Sequence, residues 1–298
     1  MYRNIGFIGC GNMGGALAKC AAEGIKRLGG ELFLSSASGI RANKLACELN
    51  GNAVTNDFIA ANCDLIFIGV KPQILSDMLE SIRSTLETRT TAFTMVSMVA
   101  GVTLERLREL IGVSCSLIRI MPNTPSSVGA GMIPYCCDGV SDSEEAELVS
   151  LMSSSGLWDR LPENLLDAAG CVSGCGPAFL CLALEGMADG GVALGLPRDK
   201  SIKYAAQTLL GLGKLAVETE LHPGVLKDQV TSPGGTTIQG VRTLEGFSVR
   251  SAFMEAVIAA KDGCFKGEHI IFSTKPRGRP ARSSPFCVPP HRAANSFS

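Results

Sequence analysis

The sequence predicts an α/β domain followed by an all-helical one, and three observations carry that prediction. Over the first 120 residues, short β-type apolar runs alternate with helical segments. That alternation is the mark of βαβ units and of a parallel sheet covered on both faces. At the first strand-to-helix junction stands Gly9-Cys10-Gly11-Asn12-Met13-Gly14. After about residue 164 the strand-like runs stop, and long apolar segments take over with proline and glycine largely at their joins.

Taken in order, Asn4–Ile8 reads as a buried strand and Asn12–Glu23 as a helix of small residues. Glu31–Leu34, Leu65–Val70, Ala92–Val96 and Ser116–Met121 are further runs of strand length, with helices expected around Ile40–Leu49, Gln73–Leu86 and Thr103–Leu110. Met121–Pro125 carries two prolines, so it should end the last of these strands and turn the chain. Ala130–Cys136 and Trp158–Leu161 are read as edge strands. Beyond them, Pro177–Leu194, Pro197–Thr219 and Thr237–Phe265 are expected to be helical. Pro177 and Pro197 then fall at first helical positions, where a missing N–H has no intrahelical partner to lose. These helices are apolar nearly all round, which suits a large core or a subunit interface, so a homo-oligomer is expected. The domain limits follow: 1–163 for the α/β domain, 164–268 for the helical domain, and 269–298 for a basic tail rich in proline and serine. The tail lacks the apolar periodicity that would offset its ordering entropy, and disorder is expected there.

Composition excludes several classes of function. The net charge of −1 gives no electrostatic reason to expect nucleic acid or an anionic membrane as partner. Twelve cysteines are enough for a disulfide framework, yet Cys63, Cys115 and Cys181 sit singly in apolar stretches and no C-x-x-C pair occurs. A reducing compartment is the better inference. With neither a secretory signal nor an Arg-rich amphipathic leader at the start, the cytoplasm is expected and the mitochondrion left open. None of the three histidines has metal-ligand spacing, so no metal is expected. No apolar run is read as reaching the roughly 18–20 residues that cross a bilayer.

The glycine motif follows a strand and opens a helix, the context that gives it meaning. Gly9 permits the tight turn, Gly11 lets backbone approach a pyrophosphate, and Gly14 lets helix pack on strand. Free N–H groups and the dipole at the helix start then favour phosphate. This is the reading of a Rossmann dinucleotide-binding domain. Where an NAD site commonly offers an acid to the ribose 2′-OH, this chain has Leu34-Ser35-Ser36-Ala37-Ser38, with no acid before Glu48. Short hydroxyls can donate to a 2′-phosphate and Arg41 stands near, which favours NADP(H), with NAD(H) as the alternative. The serines as plain turn formers remain a second reading.

Two later segments carry chemistry. Val172-Ser173-Gly174-Cys175-Gly176-Pro177-Ala178 leads into one long helix, and Val230-Thr231-Ser232-Pro233-Gly234-Gly235-Thr236-Thr237-Ile238 into another. Two glycines followed by two threonines at a helix start offer successive N–H donors with hydroxyls alongside, a cradle for a carboxylate. An ordinary threonine cap after a glycine turn would look the same.

Together these segments resemble the pyrroline-5-carboxylate reductase family. The matching motifs are G-F-I-G-C-G-N-M-G at 6–14, V-K-P at 70–72, A-G-V-T at 100–103, M-P-N-T-P at 121–125, S-G-C-G-P-A-F at 173–179, G-L-P-R at 195–198, H-P-x-x-L-K-D at 222–228 and S-P-G-G-T-T-I at 232–238. They stand in family order over roughly residues 3–266. The resemblance implies a Rossmann domain followed by an all-helical dimerisation domain, with dimers often assembled into decamers. It implies that Phe7, Ile8, Gly9, Cys10, Gly11, Asn12 and Met13, Ser35 and Ser36, Asn56, Gly69, Val70, Lys71 and Pro72, and Met98, Val99 and Ala100 line the NADP(H) site, and that Gln229 approaches the cofactor. It implies substrate contacts at Glu163, Gly235, Thr236 and Thr237, the loop coming from the partner subunit. Cys175 stands where the family usually has serine, and the tail after about residue 267 matches nothing in the pattern.

The activity so implied is reduction of 1-pyrroline-5-carboxylate to L-proline, the last step of proline biosynthesis. A protonated cyclic imine accepts hydride without a strong enzymic acid, which suits a chain with three histidines. Thr237 is the candidate catalytic residue, hydrogen-bonding the ring nitrogen, while the backbone at Gly235–Thr237 anchors the carboxylate. His222 reads as a helix-start residue and Lys71 as a phosphate or ribose contact. Two rivals are weighed. A 3-hydroxyacid-type dehydrogenase would carry a lysine on the helix after the glycine-rich turn, but residues 177–185 have none. A non-catalytic dinucleotide-binding sensor is opposed by the intact Ser-Pro-Gly-Gly-Thr-Thr segment.

Overall fold

The computed structural model describes residues 2–271, with side chains described to residue 261. Eight strands form one sheet: β1 (Asn4–Ile8), β2 (Glu31–Ser35), β3 (Asn52–Ala53), β4 (Leu65–Ile68), β5 (Thr94–Ser97), β6 (Ser116–Ile120), β7 (Gly131–Asp138) and β8 (Gly156–Arg160). Their order is β3-β2-β1-β4-β5-β6-β7-β8. All neighbours are parallel except β6 and β7, which pair antiparallel, Ile118 facing Cys137. The helices of this part are α1 (Asn12–Leu28), α2 (Ile40–Leu49), α3 (Asn56–Asn62), α4 (Pro72–Glu87), α5 (Leu104–Ile111) and α6 (Asp142–Leu151).

The core is double because the parallel strands are apolar on both faces. One layer gathers Phe7, Leu17, Ala18, Leu34, Phe67 and Ile118 under α1 and α6. The other gathers Ile8, Ile59, Ile66, Leu75, Ile82 and Leu107 under α3, α4 and α5. Phe7 and Phe67 stack with ring centroids 4.4 Å apart across the β1–β4 pair, where the strand order reverses. In open α/β sheets a ligand binds outside the carboxyl ends of the strands at such a reversal. Of the two edge strands expected, Trp158–Leu161 is β8 at the edge of the sheet, whereas Ala130–Cys136 is β7, an interior strand paired with both β6 and β8.

The sequence marks neither β3 nor α3 nor α6. β3 is two exposed residues, too short for any apolar run. α3 and α6 are held largely by their starts: Thr55 Oγ1 accepts from Phe58 N at 3.2 Å, and Ser141 with Glu144 forms a reciprocal capping box.

The second part holds α7 (Glu163–Ser173), α8 (Gly176–Ala193), α9 (Arg198–Thr219), α10 (Pro223–Gln229), α11 (Thr236–Gly246) and α12 (Val249–Ile271). Three corrections to the sequence reading arise here. Thr237–Phe265 is not one segment: Ser248, at φ 56°, takes the left-handed conformation and separates α11 from α12. A single left-handed residue between two apolar stretches leaves no trace in hydrophobic periodicity. Secondly, Glu163–Ala193 is long and apolar enough to cross a membrane by length and composition, with mean hydropathy 1.6. Here it is two helices, interrupted at Gly174–Cys175. Thirdly, of the expected tail, 269–271 continue α12 as helix, and 272–298 lie outside the described residues.

α8 and α9 pack side by side, Ser201 Oγ donating to Ala188 O at 2.6 Å. Little else on these helices is covered within one chain. α8 buries only Ala188, α9 only Ser201 and Ala205, and α11 nothing. Leu182, Leu210, Val217 and Phe247 stand out to solvent, Phe247 at 80% exposure. Ten described cysteines are free thiols.

Candidate active site

The glycine turn after β1 is built so tightly that only glycine fits at two of its positions. Gly9 has φ 100°, and a Cβ there would lie 2.6 Å from Gly69 O. A Cβ on Gly14 would lie 2.1 Å from Gly9 O, so α1 can start where it does only without a side chain. Gly11, by contrast, faces open space. It is the N-cap residue of α1, which has no side-chain cap and no acid in its first turn. The first N–H groups of α1 therefore remain available to an anion.

Gly69, at the end of β4, packs against Gly9 O, Gly14 Cα and Met98 Sδ. The ends of β1, β4 and β5 are thereby brought to one point, carrying Phe7–Met13, Gly69–Pro72 and Met98–Ala100 with them. Lys71 is the N-cap residue of α4, with Pro72 at its first position. Burial pushes the Cys10 thiol up to about 11, so it remains neutral and adds no charge beside a phosphate.

The serines at the end of β2 divide their work. Ser35 is buried, and its hydroxyl donates to Asn56 Oδ1 at 2.5 Å, fixing the start of α3 beside β2. Ser36 Oγ accepts from Ala42 N at 3.1 Å. Its own proton is left free to donate outward. A cleft of about 350 Å³ opens beside them between α1 and α2, lined by Gly11, Asn12, Lys19, Arg41, Lys44 and others. Lys19 is paired with Glu48 at 2.6 Å. The uncapped helix start, the open Gly11 and the cationic cleft together fit a phosphorylated dinucleotide.

The glycine–threonine loop is a separate structure. Gly234 turns at φ 69°, Gly235 is the N-cap residue of α11 without a side-chain cap bond, and Thr236 and Thr237 occupy its first turn, exposed. α11 packs on α12. Gln229, exposed, ends α10, whose start is capped by His222: its Nδ1 accepts from Gly224 N at 3.1 Å. Glu163 opens α7, and one of its oxygens accepts from Leu104 N at 2.7 Å. Among the described residues, no group of three or more His, Cys, Asp or Glu is placed to hold a metal ion.

Comparison with known proteins decides the family. The chain is 38% identical to the pyrroline-5-carboxylate reductase of Escherichia coli (strain K12) over 259 residues, 86% of this chain and 95% of that one. The chain belongs to the pyrroline-5-carboxylate reductase family. A relative of that name from Pisum sativum is 39% identical over 86% of this chain and 93% of its own. The crystal structure of the Plasmodium falciparum pyrroline carboxylate reductase with NADP bound superposes with a TM-score of 0.76 at 31% identity, covering 90% and 98% of the two chains. Within the chain, the model for NADP oxidoreductase, coenzyme F420-dependent, matches residues 4–101, and that for pyrroline-5-carboxylate reductase dimerisation matches 163–264. The hydroxyacid-dehydrogenase alternative is thereby set aside.

Sequence reasoning missed two residues of the reductase that the structure makes prominent. Arg119 is 1% exposed, the largest fully buried side chain described. It pairs with Asp167 as well as Glu163, both on α7. In sequence Arg119 is a lone charge in the apolar run Leu117-Ile118-Arg119-Ile120, and nothing local reveals that two carboxylates await it 44 and 48 residues on.

Proposed function

We propose that this chain is a pyrroline-5-carboxylate reductase that converts 1-pyrroline-5-carboxylate to L-proline with NADP(H), acting as a homo-oligomer. The observation that carries the reading is its 38% identity along 95% of a reductase of that name. Bound NADPH supplies the hydride. The chain's own residues do the rest.

The N–H groups at the start of α1 hold the pyrophosphate, and Gly11 admits it without a side chain in the way. Ser36, through its free hydroxyl proton, and Arg41 select the 2′-phosphate; Ser35 acts by fixing Asn56. Met98–Ala100 and Gly69–Pro72 line the nicotinamide side, with Gln229 approaching from α10. The backbone at Gly235–Thr237 grips the substrate carboxylate, and the Thr237 hydroxyl holds the ring nitrogen so that one face of the imine is presented. Glu163 enters through the carboxylate oxygen not bound to Leu104. Because the substrate is a readily protonated imine, no strong acid is needed at the site.

The loop that grips the substrate belongs to the partner subunit. Two features support this: α11 buries none of its residues within its own chain, and the dimerisation match spans the helices whose apolar faces are uncovered. Dimers formed through α8, α9, α11 and α12 bury those faces, and a decamer assembled from such dimers is the state we assign. The reading assigns it to the cytoplasm.

The direct test is NADPH oxidation followed at 340 nm with and without pyrroline-5-carboxylate, repeated with NADH. Substrate-dependent turnover favouring NADPH is expected. A soluble oligomer that stays inactive under reducing conditions with both cofactors refutes the assignment. Thr237→Ala is expected to lower kcat roughly tenfold or more, as for loss of a positioned polar group. Unchanged kinetics would remove Thr237 from the reaction.

A further inference from the structure

Arg119 lies near the end of β6, and its guanidinium reaches α7 twice: it donates to Asp167 Oδ1 at 2.5 Å and to Glu163 Oε1 at 3.3 Å. Its Nε is buried without a hydrogen-bond partner. The same Glu163 oxygen accepts the N–H of Leu104, the first residue of α5. Leu104 is three residues beyond Gly101, directly after the Met98–Ala100 stretch that clusters with Gly69. Two further contacts tie α7 to the chain after β6. A Cβ on Gly170 would lie 2.8 Å from Met121 Cγ, so the helix is pressed onto that residue. Asn123 Nδ2 donates to Ser173 O at 3.0 Å, while its Oδ1 accepts from Met132 N at 3.0 Å. The first helix of the second domain is thus fixed at its start, middle and end to β6 and the Met-Pro-Asn-Thr-Pro turn.

Stability alone gives little reason for an arginine here. A buried ion pair seldom recovers its desolvation cost, and apolar residues of like volume often serve as well. What the guanidinium does that a leucine cannot is hold two carboxylates in a fixed planar geometry. We propose that Arg119 is a positioning residue. Through Glu163 and Asp167 it sets the angle at which α7 carries the helical domain. Through the Leu104 N–H it couples that angle to the loop after β5. The helical domain docks the partner whose loop grips the substrate carboxylate, and the β5 loop of the same chain lines the nicotinamide side, so the clamp governs how closely the reacting carbons meet. A misplacement of about 1 Å can cost on the order of a hundredfold in rate. This proposal rests on the reductase reading above.

The test compares the parent enzyme with Arg119→Lys and Asp167→Asn as full-length oligomers. Lysine keeps the charge and loses the fork; asparagine keeps the shape and loses one charge. For both, NADPH affinity measured by fluorescence is expected within about twofold of the parent, with kcat lower by roughly tenfold. The isotope effect on kcat with NADPH deuterated at the transferred position should rise, because hydride transfer becomes slower than product release. Hydrogen exchange at the Leu104 amide, read without substrate, should quicken. A purely structural role would lower the amount of active enzyme and leave the isotope effect of the remainder unchanged. Parent-like kcat, isotope effect and Leu104 exchange in both variants overturn the clamp. Should Arg119→Lys fail to fold, Asp167→Asn decides by the same readings. If the parent itself shows no turnover, the reductase reading has failed and the clamp falls with it, an outcome distinct from an active parent with equally active variants.

Discussion

Gly14→Ala is expected to lower NADPH affinity by roughly a hundredfold or more while the helical domain keeps its fold. The added Cβ would sit 2.1 Å from Gly9 O, backbone against helix, so no side chain can move aside to admit it. The start of α1 must shift away from β1, taking its first N–H groups with it. Two charge-assisted hydrogen bonds lost at about 1.5–3 kcal/mol each give a hundredfold to ten-thousandfold loss of affinity. Fluorescence titration with NADPH measures it, and an affinity within threefold of the parent would show that the turn has slack this geometry denies. The variant also tests which chain completes each site. Refolded as a mixture with Thr237→Ala, it should recover activity, since a mixed dimer then holds one intact nucleotide turn facing one intact threonine loop. No recovery would mean that both parts belong to the same chain.

The second large effect is on stability. Arg119→Met should destabilise the folded chain by about 3 kcal/mol, because removing one partner leaves Glu163 and Asp167 beside each other near the protein interior with no cation between them. Their side chains are 31% and 27% exposed, so water relieves part of the penalty and places the value toward the lower end for a broken buried pair. Denaturant unfolding of the parent and the variant gives the difference. The triple substitution Arg119→Met, Glu163→Gln and Asp167→Asn should recover much of the loss, since two neutral amides tolerate the missing charge. A single Arg119→Met as stable as the parent would mean that the two carboxylates turn to solvent freely, and that α7 is not held by them.

The apolar faces left uncovered within one chain call for a second surface. Glu163–Ala193 has the hydropathy of a bilayer span, yet only 17% of its most apolar window is buried within one chain. A soluble helix cannot leave that much apolar surface in water without aggregation. The break at Gly174–Cys175 and the match to a dimerisation model over 163–264 point to a second copy of the chain as the cover.

Much of this molecule was legible in the residues themselves. The parallel sheet followed from doubly apolar runs such as Leu65-Ile66-Phe67-Ile68, and the cofactor turn from glycines whose spacing is dictated by local contacts between β1 and α1. The threonine loop followed in the same way, as a helix start whose donors and hydroxyls are neighbours along the chain. All of these rest on interactions spanning a few residues, and such interactions leave a pattern in sequence. What tertiary structure alone decided depends on groups far apart in the chain. The Ser35–Asn56 bond, the left-handed Ser248 between two apolar helices, and the meeting of Arg119 with Glu163 and Asp167 have no local signature. Each is set by the path of the backbone through space, and an arginine between apolar neighbours looks like a surface residue until the helix that neutralises it folds against it.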